Sequence, residues 1–87
     1  MLKVKEGIKL EELEKYGFER RYNTYTGKID RYVCKGLHYG KVETFIEIEK
    51  SYKGKKEIWI INIRETGEKA YDTLYDLIQT GIVVKEW

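Results

Sequence analysis

Eighty-seven residues with 41% hydrophobic content suffice for one packed core and no more, so a single domain spanning 1–87 is expected. Charged residues make up 37%, and the longest apolar run, Ile58-Trp59-Ile60-Ile61, falls far short of the ~20 residues of a membrane-spanning helix. The formal charge is only +2, Cys34 is the lone cysteine, and the opening Met1-Leu2-Lys3-Val4-Lys5-Glu6 lacks the apolar centre of a signal peptide; together these predict a cytoplasmic protein.

Leu2-Lys3-Val4-Lys5 alternates apolar and charged side chains, the period of a short strand. Residues 10–16 read as a short helix, because Leu10, Leu13 and Tyr16 recur every third position while Glu11, Glu12 and Glu14 face water. Gly17 suits the left-handed residue that closes such a helix. Segments 18–25 and 29–35 are rich in Tyr, Thr, Val and Ile, and predict a hairpin around Thr26-Gly27-Lys28. Residues 36–40, bounded by Gly36 and Gly40, read as a connector. Val42, Thr44, Ile46 and Ile48 then alternate with Glu43, Phe45, Glu47 and Glu49 in a half-buried strand, and Ser51-Tyr52-Lys53-Gly54 marks the next turn.

Residues 57–64 form the most apolar strand, with Trp59, Ile61 and Ile63 on one face and Ile58 and Ile60 on the other. Thr66 is the expected N-cap of a second helix over 68–80, whose stripe of Ala70, Leu74, Leu77 and Ile78 faces the core. Gly81 ends it, and Ile82-Val83-Val84 reads as a short terminal strand. The expected fold is therefore α+β: an antiparallel sheet of about four strands, with a short N-terminal and a longer C-terminal helix packed on one face. The other face, carrying Glu43, Glu47 and Glu49, is left to solvent or a partner.

No catalytic constellation stands out. Cys34 and His38 are the only thiol and imidazole, but a nucleophilic pair needs a positioned base and an orienting third group, and none is evident. Gly36 and Gly40 are not followed by the Lys-Ser/Thr of a phosphate-binding loop. Cysteine and histidine are too few for a structural zinc site, so no catalytic, cofactor or metal residues are expected, and the chain reads as a non-enzyme.

Charge is distributed more informatively than its total. Residues 20–56 carry an excess of six positive charges between two segments of net negative charge, and hold five of the eight tyrosines. The candidate macromolecule-binding set is Arg20, Tyr22, Tyr25, Arg31, Tyr32, Tyr39, Tyr52, Lys53, Lys55 and Lys56. Tyrosine offers large contact area at low entropic cost, which favours a protein partner. Cations interleaved with rings also serve single-stranded nucleic acid, the alternative partner, although only four of the seventeen basic residues are arginine. Strands favour Tyr and sheet edges favour Lys for reasons of folding alone. A homodimer is compatible with the same surface, and no membrane partner is expected.

The segment Leu74-Tyr75-Asp76-Leu77-Ile78-Gln79-Thr80-Gly81-Ile82-Val83 resembles the C-terminal end of small uncharacterised proteins of phages and prophages of low-GC Gram-positive bacteria. The opening Gly7-Ile8-Lys9-Leu10-Glu11-Glu12-Leu13-Glu14-Lys15-Tyr16-Gly17-Phe18 is similar to their N-terminal end. Abundant Lys, Ile and Tyr with one Ala and no Pro agree with an AT-rich gene. The resemblance implies a gene on a mobile element and an accessory role exerted by binding host machinery; it implies no known activity.

Overall fold

A computed structural model describes residues 1–85. Over them the chain forms six strands: β1 (Leu2–Val4), β2 (Phe18–Tyr22), β3 (Ile29–His38), β4 (Lys41–Lys53), β5 (Lys56–Ile63) and β6 (Val83–Lys85). A 3₁₀ helix (Leu10–Tyr16) lies between β1 and β2, and one α-helix, α1 (Glu68–Gln79), between β5 and β6. All neighbouring strands are antiparallel, in the order β2-β3-β4-β5-β1-β6.

The expected four-stranded sheet layered beneath two helices is corrected by this arrangement: the protein is mostly sheet. The terminal triplets β1 and β6 pair with each other, and β1 also pairs with β5 at Lys3↔Ile60, which adds two strands. Both segments read as short strands, but three residues carry too little pattern to say that they pair with each other and join the main sheet. The long strands also run past the turns expected at Gly36 and Ser51. β3 continues to His38, β4 to Lys53, and the turns fall at Tyr39-Gly40 and Gly54-Lys55. Glycine in a strand is permitted when something else uses its missing side chain.

The helical elements are correspondingly slight. Residues 10–16 coil as a 3₁₀ helix, whose three residues per turn match the strict three-residue recurrence of Leu10, Leu13 and Tyr16. Gly17 closes it at φ 88°, and its N–H donates to Glu14 O. α1 starts after Gly67 without a side-chain cap, so Thr66 is not its N-cap. It buries only Ala70 and Leu77; Leu74 packs partly against the core, and Ile78 is exposed.

The core lies on one sheet face, where Phe18, Tyr32, Cys34, Ile46, Ile48, Trp59, Ile61, Val4 and Val83 meet Leu13, Ala70 and Leu77. Alternation puts Arg31, Glu47, Glu49 and Arg64 on the opposite face. A β-bulge breaks the alternation: Cys34 pairs with Ile46 and Lys35 with Thr44, leaving Phe45 as the extra residue. Phe45 is thereby turned into the core beside Ile46, and its ring fills the space where a side chain on Gly36 would begin.

Candidate functional site

Because consecutive strands alternate in direction, the β2–β3 and β4–β5 turns share one end of the sheet, and the β3–β4 turn lies at the other. The first end collects Tyr22, Tyr25 and Tyr52 together with Lys28, Lys53, Lys55 and Lys56. Tyr22 is 56%, Tyr25 97% and Tyr52 64% exposed, so all three rings stand more than half in water, Tyr22 hydrogen-bonded with the neighbouring Arg20. Asn23 orders the tip beneath Tyr25: its Oδ1 accepts from the N–H groups of Tyr25 at 2.8 Å and Thr26 at 3.1 Å. Lys56 is ion-paired with Glu6.

The remaining candidate residues are not gathered there. Tyr32 is buried in the core, edge-on to Trp59 with centroids 5.7 Å apart, and is withdrawn from any surface. Arg20 Nη2 donates to Glu14 Oε2 at 2.9 Å, a contact that ties β2 to the 3₁₀ helix and pushes the guanidinium pKa up. Tyr39 is 94% exposed but occupies the β3–β4 turn, at the opposite end.

Arg31 belongs to the charged sheet face. Its Nη1 donates to Glu47 Oε1 at 3.1 Å, and Arg64 Nη2 donates to Glu49 Oε1 at 2.9 Å and Glu47 Oε1 at 3.5 Å. Glu47 is buried, and its pKa is held below the usual carboxylate range by hydrogen bonding with Glu49, then by Arg64 and Arg31. The same contact and like-charge repulsion from Glu47 push Glu49 up. This face is neutralised by its own side chains and presents no aromatic ring among these contacts. Glu43, expected beside Glu47 and Glu49, is carried away from them by the bulge.

Cys34 is buried and burial pushes its thiol up, against the smaller opposing effects of Lys69 and Thr73. His38 lies in β3 rather than in a connector. Four residues along a strand set it about 13 Å from Cys34. The two are too far apart to act as a thiol–imidazole pair.

At the β3–β4 end the imidazole of His38 sits between two carboxylates: Nδ1 is 3.0 Å from Glu43 Oε2, and Nε2 is 3.6 Å from Glu65 Oε1. The donor atoms of the three residues all lie within 4.8 Å of one another. Sequence reasoning missed this group. A hairpin register centred on Tyr39-Gly40 would have brought Glu43 near His38, whereas nothing local in the sequence signals Glu65.

No protein-family model, no curated protein and no solved structure matches the chain. Among the described residues no helix is long and apolar enough to cross a membrane.

Proposed function

We propose that this is a non-enzymatic cytoplasmic accessory protein of a mobile element, which binds an acidic surface of another protein through the tyrosine–lysine end of its sheet. The reading is carried by one observation: Tyr22, Tyr25 and Tyr52 are all more than half exposed around two hairpin turns that together carry Lys28, Lys53, Lys55 and Lys56. Rings of this kind become interface anchors when desolvated, while lysines at the rim steer encounter. Sequence-tolerant binding of single strands needs rings and cations along an open groove. Here the open face has its arginines Arg31 and Arg64 clamped on Glu47 and Glu49, which favours a protein.

A photo-crosslinking residue at position 25 or 52, in extract of a low-GC Gram-positive host, is expected to trap one protein that the same residue at position 71 on α1 does not. Replacing Lys53, Lys55 and Lys56 by Gln should slow association and leave the fold intact. A labelled single-stranded oligonucleotide should not bind at low salt. Salt-sensitive oligonucleotide binding lost in Tyr25→Ala would replace the protein reading with the nucleic-acid one, and a self-crosslink would replace it with a homodimer.

A further inference from the structure

We propose that His38 and Glu65 bind a divalent transition-metal ion, with zinc the best fit, and that Glu43 is the carboxylate that positions the imidazole. The separation of His38 Nε2 from Glu65 Oε1 is 3.6 Å, too long for a hydrogen bond. It is the spacing of two donors on one ion: ligands about 2.0–2.2 Å from zinc at a tetrahedral angle lie about 3.3–3.6 Å apart. On the other side of the ring, Nδ1 meets Glu43 Oε2 at 3.0 Å, which favours the proton on Nδ1 and turns the Nε2 lone pair toward Glu65. A histidine backed by a carboxylate is the usual support of a metal-bound imidazole, raising its basicity and fixing its orientation.

The surroundings hold this geometry. The His38 ring is edge-on to Tyr39, centroids 4.4 Å apart, and to Phe45 at 6.3 Å. The Phe45 carbonyl accepts from both the Arg64 and the Glu65 N–H groups, which anchors the Glu65 backbone to the same bulge that carries Phe45. Two carboxylates converge on the imidazole, against one cross-strand cation, Lys41, which pairs with His38 in the hairpin register. The nearest α1 cation, Lys69, is turned elsewhere: its Nζ donates to the Lys35 carbonyl at 2.6 Å. A nitrogen donor with one carboxylate suits zinc, cobalt or nickel, and not magnesium or calcium, which require mostly oxygen. The remaining coordination positions belong to water, so the ion would bind reversibly while tying the β3–β4 turn to the segment after β5.

The full chain, stripped with a chelator, is titrated with zinc chloride by calorimetry and melted with and without the ion. One zinc per chain and a raised melting temperature are expected. Both should be lost in His38→Ala, and affinity should fall at least tenfold in Glu65→Gln, a near-isosteric change at a half-exposed side chain that keeps the fold testable by circular dichroism. Glu43→Gln should weaken binding about 10–100-fold, with Glu43→Asp recovering part of the loss. Cobalt should give visible d–d absorption without a thiolate charge-transfer band, because Cys34 is buried elsewhere. Absence of zinc binding, equal affinity in folded Glu65→Gln, a thiolate band, or competition by equimolar magnesium would each overturn the site.

Discussion

Gly36 shows how a single residue can be misread from its type alone. As one of two glycines bounding residues 36–40 it reads as a loop residue, yet it lies within β3 because the Phe45 ring lies where its Cβ would be. Gly36→Ala should therefore destabilise the protein by about 1–3 kcal/mol, the cost of overpacking a filled site. Gly40→Ala, with open space around it, would isolate the backbone cost of a left-handed residue. Urea unfolding separates the two, and an unchanged midpoint in Gly36→Ala would show that Phe45 moves aside freely. Burial among the tyrosines was equally illegible. Tyr32 and Tyr25 have the same side chain and lie in the same basic stretch of the chain, but Tyr32 pairs with Ile48 in mid-sheet while Tyr25 crowns a turn. Ile48 itself, fully buried, should cost about 2–5 kcal/mol when replaced by Ala.

Elements with a strong period were legible and weakly patterned ones were not. The limits of residues 10–16 and the Gly17 stop agree with the structure, and the three-residue recurrence there turns out to specify 3₁₀ rather than α geometry. For α1 the apolar positions were visible, but their division between core and solvent depended on how the helix docks, so Ile78 ends exposed. On β4 the alternation correctly paired Glu47 with Glu49 but could not foresee the bulge that removes Glu43. Glu47 and its arginines give this element a pH signature. A carboxyl whose folded pKa lies below its unfolded value, about 4.3, stabilises the fold fully above that value and loses the contribution as pH falls through the lower folded pKa. Glu49, shifted upward, contributes with the opposite sign: its share is complete below the unfolded value and lost as pH rises through the folded one. Glu47→Gln should cost about 1–3 kcal/mol at neutral pH by turning the charge-assisted hydrogen bonds from Arg31 and Arg64 into neutral ones, and should flatten the acid limb of stability against pH. Denaturant unfolding of both proteins between pH 7 and about pH 3 checks this; parallel curves would mean that Glu47 is not held ionised by Arg64 and Arg31.

At the scale of the whole molecule, the antiparallel connectivity of the four long strands was readable because hairpin signals separate them, and the excess of charge and rings in the middle of the chain was plain. How those residues divide between two ends, a closed core and a self-neutralised face follows from strand direction and register, which no local pattern encodes. The closure of the sheet by the chain termini was the least visible feature. β1 is an internal strand, flanked by β5 and β6, although its short alternating pattern showed a strand and not its place in the sheet. Lys3 pairs with Ile60 on one side and Val84 on the other, and β6 meets the sheet through β1. Proline in an internal strand removes a ladder hydrogen bond and is not accommodated there. Lys3→Pro should therefore cost about 1–3 kcal/mol, that of leaving a backbone partner unsatisfied, and release β6, with hydrogen exchange accelerating at Val84, whose pair with Lys3 is a hydrogen-bonded one. Lys3→Gln, which keeps the backbone donor, should stay within about 0.5 kcal/mol of the parent. If Lys3→Pro proves as stable as Lys3→Gln, β1 is an unpaired tail, and the sheet ends at β5.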